Sequence, residues 1–444
     1  MIKYLEKFSV PQIIVVTYIL FIMLGAFLLS LPISSMSGEW TSLLDSLFAS
    51  TSAVSVTGVT IFDTLTYWNY FGKTVLIFLI EIGGMGFMTI WILLYYTIIG
   101  RPNLKQRMVV SESLNLSPNK TILQHVWYII RIALIIQLVG MVLLSFPFVE
   151  EYGNLKGLYY ALFHSISAFT NAGLDLFSNS LINFQDNPYV LIVTMLLVMS
   201  GGLGFIVWDD LLNYKETKKL RIYTKIVLIT TSILWLLGMI LFWVAENGEG
   251  IFDHLSFGNK IVNYLFLSVT TRSSGFTNVN IANLSPGSIL LASLLIFIGA
   301  SSGSTAGGIK VSTLAVIFIV ILRSFQGKKA TVFNRKINSH TARRAFFIFT
   351  VATLIVALGT FVLTLTEHLP AGFGIEHIFM EVVSALGLVG ISLGLTPYLS
   401  ALGKILLILL MLIGRVGVMT FLWSLVGDKR ESRIDYPNIN IIIG

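Results

Sequence analysis

The sequence predicts an all-α integral membrane protein built from four copies of one helical repeat. The first reason is composition: 55% of the 444 residues are hydrophobic and only 11% are charged. The mean hydropathy of +0.84 lies far above that of water-soluble domains. The second reason is a glycine-containing motif that recurs four times along the chain, as expected for a repeat architecture. Each repeat is expected to hold a transmembrane helix, a short re-entrant segment and a second transmembrane helix, written here as M1-P-M2.

Eight apolar runs are long enough to cross a bilayer, which takes about 20 residues per helix. The predicted spans are residues 10–32, 72–99, 122–148, 188–212, 223–246, 288–322, 343–367 and 402–426. A shorter, semi-apolar segment lies between the two spans of each pair, and it is too short to cross the membrane. We therefore expect eight transmembrane helices plus four re-entrant pore segments in a pseudo-fourfold arrangement around a central axis.

The basic residues indicate how the chain is oriented. Of its 29 Lys and Arg residues, 21 lie at the two chain ends and in connections on one side of the predicted spans. Only Lys73, Lys156, Lys260 and Lys404 lie in connections on the other side. Because basic residues concentrate on the cytoplasmic side, both termini are predicted to be cytoplasmic, and the re-entrant segments enter from outside. The predicted repeats are residues 1–100, 101–213, 214–330 and 331–427, followed by a cytoplasmic tail, 428–444.

Four glycines align when the re-entrant segments are compared. The segments read "SAVSVTG", "SAFTNAG", "VTTRSSG" and "SALGLVG", ending at Gly58, Gly173, Gly275 and Gly390, with spacings of 115, 102 and 115 residues. Non-helical backbone at membrane depth is tolerated where it lines a watery path or is held by protein. Glycine can adopt positive φ, so the four segments can turn their carbonyl oxygens towards one axis, as dehydration of a cation requires. The alternative is that these glycines serve close helix packing.

The third repeat is interrupted by "GASSGSTAGGIK", residues 299–310, in the middle of its second apolar run. We expect this segment to break the helix and to form a polar loop beneath the re-entrant segments, where it can block or open a path. A nucleotide-binding loop is disfavoured, because Ile309 separates Gly308 from Lys310 and no strand precedes the motif. A flexible helix whose Lys310 reaches the cytoplasmic face is the remaining alternative.

Arg415 stands in "LIGRVGV", where the other repeats have Gly84, Gly202 and Ala300. A charge at bilayer depth costs roughly 3 kcal/mol or more, so this arginine needs a partner. Facing the axis, it would repel cations and could bind carbonyl groups of the loop. The alternative is an arginine that pairs with backbone in a packed contact and has no influence on transport.

The fourfold M1-P-M2 repeat, the segments "SVTGV", "TNAGL", "RSSGF" and "LVGIS", the interrupted third repeat and the arginine in "LIGRVGV" together resemble the Trk/Ktr/HKT superfamily of potassium transporters. Eight spans without extra N-terminal helices are most similar to the Ktr membrane subunit, the KtrB/KtrD type. The resemblance covers nearly the whole chain and implies K⁺ uptake across the bacterial plasma membrane through a single pore in each subunit.

The resemblance also implies roles for particular residues. Four filter segments would bind K⁺ through their carbonyl oxygens: Val56, Thr57, Gly58 and Val59; Asn171, Ala172, Gly173 and Leu174; Ser273, Ser274, Gly275 and Phe276; Leu388, Val389, Gly390 and Ile391. An intramembrane gating loop would comprise Gly299, Ala300, Ser301, Ser302, Gly303, Ser304, Thr305, Ala306, Gly307, Gly308 and Lys310. Arg415 would be a barrier in the pore. A Na⁺-selective or Na⁺-coupled transporter of the same fold is the runner-up; Gly58 favours K⁺, because in related plant transporters a serine there goes with Na⁺.

The resemblance further implies partners: a homodimer, and a cytosolic ring of RCK-type subunits similar to KtrA or KtrC, which would carry the regulatory nucleotide. The chain itself is expected to need no cofactor, to contact membrane lipid and to bind no nucleic acid. Enzymatic activity is not expected, because the chain has no cysteine and its six histidines show no metal-binding spacing. A membrane enzyme or scaffold remains the alternative of a different class. The apolar tail end, residues 439–444, is expected to dock on its own subunit or on the facing one.

Overall fold

The computed structural model describes residues 10–86, 122–248 and 250–426. The predicted second half of the 72–99 span, the basic connection that follows it and the tail lie outside these residues. The helices, in chain order, are α1 Val10–Ser30, α2 Leu43–Ser55, α3 Thr64–Tyr67, α4 Tyr70–Gly84, α5 Ile122–Tyr152, α6 Asn154–Thr170, α7 Pro188–Leu203, α8 Phe205–Leu212, α9 Tyr214–Thr217, α10 Ile222–Ala245, α11 Phe257–Thr270, α12 Pro286–Phe297, α13 Val311–Phe325, α14 Ser339–Thr366, α15 Ile375–Gly387, α16 Ala401–Val416 and α17 Val418–Val426.

Four of these helices are long and apolar enough to cross a membrane on their own. They are the first helices of the four predicted repeats: α1, α5, α10 and α14. Their outward faces carry exposed large apolar side chains such as Leu24, Phe27 and Leu358. Apolar side chains left exposed in such numbers are the surface that lipid covers. The protein is therefore a multi-pass membrane protein.

The helices of the four re-entrant segments are α2, α6, α11 and α15, of 13, 17, 14 and 13 residues. At 1.5 Å rise per residue, 13 residues extend about 20 Å, which is less than the roughly 30 Å hydrocarbon core. Local sequence starts these helices: Ser42 caps α2 and Ser256 caps α11, each hydroxyl accepting a backbone N–H of the first turn. All four are shorter than the roughly 20 residues of a typical transmembrane helix.

The helix contacts form a closed ring. Each short helix packs against a long helix that precedes it in the chain. In addition, the second helix of one repeat packs against the short helix of the next: α4 on α6, α7 on α11, α12 on α15 and, closing the ring, α16 on α2. This ring places the C-terminal ends of all four short helices around one axis.

Two predicted spans differ from the expectation of a continuous helix. Residues 188–212 form α7 and α8, which meet at an angle of 97°, and residues 402–426 form α16 and α17, which meet at 106°. Each bend lies at one glycine, Gly204 with φ +87° and Gly417 with φ +89°. A residue in this conformation cannot continue a right-handed helix, and only glycine adopts it without a Cβ clash. Hydropathy does not report this backbone angle, because both glycines lie within runs of apolar residues.

The second helix of the third repeat is divided into α12 and α13 by an irregular segment. Its two ends meet, because Ile298 and Ile309 form a parallel bridge. On the other side of α13, a two-stranded hairpin, β1 Thr331–Val332 and β2 Arg335–Lys336, leads into α14.

Candidate ion-conduction site

The four predicted filter segments follow the C-terminal ends of the short helices. Their glycines Gly58, Gly173, Gly275 and Gly390 all have positive φ, +84°, +68°, +75° and +89°. In three repeats, the residue directly after the short helix is left-handed and lies two positions before the filter glycine. These residues are Val56, Asn171 and Leu388. The third repeat departs from this pattern, because Thr271, the residue directly after α11, is right-handed.

The four glycines come together as a ring of backbone. A Cβ atom added at Gly58 would overlap the carbonyl oxygen of Ala172, and one at Gly173 would overlap that of Ser274. In the same way Gly275 faces the oxygen of Val389, and Gly390 faces that of Thr57. Each filter glycine thus contacts the residue that precedes the filter glycine of the following repeat. The fourth contact returns to the first repeat, so the four contacts form a closed ring. We call these four contacts the filter ring; it has no space for a side chain.

Hydrogen bonds from backbone N–H groups hold the filter segments in place. The N–H groups of Thr57 and Ala172 donate to carbonyl groups at the end of their own short helices, both at 2.8 Å, and the N–H group of Val389 does so at 3.2 Å. Within the described part of the chain, no hydrogen bond reaches any carbonyl oxygen of the sixteen predicted filter residues. These oxygens are strong acceptors without a protein donor, so they are chemically suited to coordinate a cation.

The glycines of the second helices support the ring from behind. A Cβ atom at Gly83, Gly201 or Gly414 would overlap the carbonyl oxygen of Val54, Phe169 or Leu386, respectively. Each of those oxygens lies four residues before a filter glycine. The recurring glycines thus let three of the four second helices approach the end of a short helix, whereas Gly299 in the third repeat lies against the carbonyl of Gly307 in the loop.

The intramembrane loop, residues 299–310, lies against this assembly. The N–H of Ser301 donates to the carbonyl of Gly202 at 3.2 Å, and the N–H of Phe205 donates to the carbonyl of Gly303 at 3.0 Å. On the opposite side, a Cβ atom at Gly307 would overlap the side chain of the filter residue Leu388. The loop therefore spans from the second repeat to the fourth. Its Lys310 donates to the carbonyl of Ala306 at 2.7 Å, so its ammonium folds back on the loop itself.

Arg415 connects three elements. Its half-buried guanidinium donates to the carbonyl oxygens of Thr305, in the intramembrane loop, and of Gly83, at the end of α4. A longer bond of 3.4 Å reaches the carbonyl of Gly84. The partner that the buried charge requires is thus backbone, and part of it belongs to the loop.

The chain resembles known proteins over nearly its whole length. The sequence profile of the TrkH family, described as cation transport proteins, matches residues 8–427. The chain belongs to this family. It is 39% identical over 442 residues to the potassium/sodium uptake protein NtpJ of Enterococcus hirae, covering 99% of this chain and 98% of that protein. It is 37% identical over 440 residues to the Ktr system potassium uptake protein B of Bacillus subtilis, covering 99% and 97%.

The fold is also similar to a solved structure of the family. The crystal structure of the potassium transporter TrkH from Vibrio parahaemolyticus matches with a TM-score of 0.71, covering 94% of this chain and 85% of that one. Because the two sequences are only 19% identical, this match concerns the fold.

Other polar residues of this TrkH-family chain make local contacts. Arg272 is almost fully buried, donates to the carbonyl of Gly299 at 3.2 Å and lies over the ring of Trp235. Glu381 accepts from Ser392 and from Thr396, the latter at 2.8 Å, and Glu81 accepts from Gln137 at 2.8 Å. Asp210 accepts the N–H of Arg221 at the start of α10, as expected for a capping residue. Within the described ranges, no three His, Cys, Asp or Glu residues are grouped as a metal site.

Two contacts were missed in the sequence. The hydroxyl of Ser384 accepts the N–H of the filter glycine Gly390 at 3.0 Å. A signal for it exists, because serine stands six residues before the glycine in three of the four repeats. The second is a hydrogen bond between Asn171 and Thr305, 134 residues apart, for which the sequence offers no signal.

Proposed function

We propose that this protein mediates potassium uptake through the filter ring. The observation that carries the proposal is that four glycines and four carbonyl groups close one ring, while the filter carbonyl oxygens accept no hydrogen bond within the described residues. Rings of backbone carbonyls replace the hydration shell of a permeating ion. A membrane enzyme or scaffold would have no use for four such segments, and membership of a family of cation transport proteins supports the same class.

Potassium is favoured over sodium as the principal ion. The first filter segment has glycine and not serine at position 58, and several relatives carry potassium in their names. Coupling to Na⁺, or conduction of Na⁺, is the second candidate, because one relative at 39% identity is named a potassium/sodium uptake protein.

The intramembrane loop is proposed to be the gate, and Arg415 its anchor and an electrostatic barrier. Their contacts support this, since the loop lies between α7 and the filter residue Leu388, and Arg415 ties it to α4. A positive charge beside the conduction path raises the energy of a cation there, so closure combines steric and electrostatic hindrance.

The proposed assembly is a homodimer in the bacterial plasma membrane, with both termini cytoplasmic and with a cytosolic RCK-type ring that binds the regulatory nucleotide. The name of one relative, a Ktr system uptake protein, indicates that it acts as part of a multi-component system. The basic connections on the predicted cytoplasmic side are the surface that such a ring would face.

Growth rescue tests the proposal. The gene is expressed in a bacterium that lacks its own potassium uptake systems, with and without a KtrA-like subunit, on media of graded K⁺ concentration. We expect growth at low K⁺, stronger with the subunit present. No rescue under either condition, despite membrane-inserted protein, would contradict potassium uptake. Rescue that requires external Na⁺ would favour the Na⁺-coupled candidate.

A further inference from the structure

The intramembrane loop contacts the filter itself, at Thr305. This residue is fully buried, and its polar groups reach several elements. Its N–H donates to the carbonyl of Gly201 on α7 at 3.4 Å, and its carbonyl accepts from Arg415 on α16. Its hydroxyl donates to the carbonyl of Phe169 at 3.2 Å and accepts from Nδ2 of Asn171 at 2.8 Å.

Asn171 is the first residue of the second filter segment. It is fully buried and left-handed, with φ +65°, a conformation that costs energy for residues other than glycine and least for Asn and Asp. Two donor bonds hold its side chain, from Nδ2 to Thr305 and from Nδ2 to the carbonyl of Phe169 at 3.2 Å. Its Oδ1 has no hydrogen-bond partner among the described residues. Because the carbonyl of Phe169 can only accept, the amide orientation is fixed. Among the described residues, Thr305 makes the hydrogen bond that this amide receives from outside the segment's own turn.

Within the described ranges, the first residues of the other three filter segments make no side-chain hydrogen bond to the loop. The residues at the corresponding position are Val56, Ser273 and Leu388, and two of these are apolar. The second segment is thus the one whose first residue bonds the intramembrane loop. Its glycine, Gly173, follows two residues later and lies against the carbonyl of Ser274 in the filter ring.

We propose that Thr305 is a specificity-determining positioning residue, whose hydroxyl holds Asn171 and thereby the second filter segment in the geometry that prefers K⁺ over Na⁺. This inference deepens the proposed function and rests on it. Displacement of the loop breaks the bond between Thr305 and Asn171, so the loop controls filter geometry as well as access. A deletion that includes Thr305 is then expected to change selectivity together with flux.

The test compares Thr305→Val, which keeps the branched shape and removes the hydroxyl, with Thr305→Ser, which keeps the hydroxyl. Thr353→Val is the matched control, because it makes the same change on α14, where the Thr353 hydroxyl donates to the carbonyl of Phe349 at 2.9 Å, outside the loop and the filter. Purified variants are reconstituted in liposomes, and K⁺ flux is measured in competition with Na⁺. Thr305→Val removes both hydrogen bonds of the hydroxyl, to Asn171 and to Phe169. Loss of the bond that positions Asn171 predicts a fall of about fivefold in K⁺ preference, whereas Thr305→Ser and Thr353→Val retain the wild-type ratio.

Unchanged preference in Thr305→Val would overturn the inference, and so would an equal loss in Thr305→Ser, since packing and not the hydroxyl would then be responsible. If Thr305→Val does not fold, Thr305→Ala is measured in its place against the same serine variant. A wild-type protein without K⁺ preference would instead overturn the proposed function, and the two failures are therefore distinguishable.

Discussion

Replacing Arg415 by glutamine should open the pore in the absence of any partner subunit. The guanidinium binds the carbonyl of Thr305 in the intramembrane loop and the carbonyl of Gly83 on α4. A hydrogen bond to a charged group contributes about 1.5–3 kcal/mol, and each 1.4 kcal/mol is a factor of ten. Losing the bond to Thr305 therefore shifts the equilibrium between the closed and the displaced loop towards the displaced loop by about 10- to 150-fold. Removing the positive charge also lowers the electrostatic barrier to cations.

The assay is Rb⁺ uptake into proteoliposomes that contain the purified chain alone. If the closed loop predominates in the wild type, uptake by Arg415→Gln should rise at least about tenfold. Arg415→Lys is the matched control: an ammonium is a compact charge that lacks the planar fork of arginine, so it keeps the electrostatic barrier but cannot reach Thr305 and Gly83 together. We expect intermediate uptake for it. Wild-type uptake by a correctly folded Arg415→Gln protein would refute the anchoring role.

Three further predictions concern other parts of the chain. Burial, reinforced by nearby Asp63, raises the pKa of the Asp175 carboxyl to about 6; this group lies in the connection after the second filter segment, on the predicted outer side. As the pH falls through 6, its negative charge is lost and K⁺ uptake at low K⁺ should fall, whereas Asp175→Asn should be slow at every pH. Gly414→Ala, whose Cβ overlaps a backbone oxygen, should lower the unfolding temperature through an overpacking cost of about 1–3 kcal/mol, while Gly287→Ala, with ordinary contacts, should not. If the tail end docks on the facing subunit of the proposed homodimer, removing residues 439–444 should shift the detergent-solubilised protein from dimer to monomer in light scattering. A full dimer at low concentration would instead favour docking on its own subunit.

Much of the filter ring could be predicted because the same residue types recur at the same positions of each repeat. Gly58, Gly173, Gly275 and Gly390 align by sequence alone, and their positive φ follows from the need for a turn that other residues disfavour. The need of Arg415 for a partner followed from the cost of a charge at bilayer depth.

The rest depends on three-dimensional contacts that the sequence does not encode locally. The bends at Gly204 and Gly417 are single backbone angles within runs of unbroken hydropathy. The bond between Asn171 and Thr305 joins two repeats through side chains 134 residues apart. The carbonyl of Gly83 as a second partner of Arg415 likewise results from the closure of the ring between the fourth and first repeats.

The most direct test of the carbonyl ring is the reversal potential of the reconstituted protein, with a K⁺-rich mixture of both ions on one side of the bilayer and a Na⁺-rich mixture on the other. Gly58→Ser places a side chain where the carbonyl of Ala172 lies. Gly38→Ser is its control, because Gly38 also has positive φ, +70°, but no atom lies within 4 Å of an added Cβ. This variant therefore introduces backbone strain at a site outside the filter ring. We predict a wild-type potential near the K⁺ equilibrium value, a shift towards the Na⁺ value in Gly58→Ser and no shift in Gly38→Ser. An unshifted potential in Gly58→Ser would contradict selection by this ring.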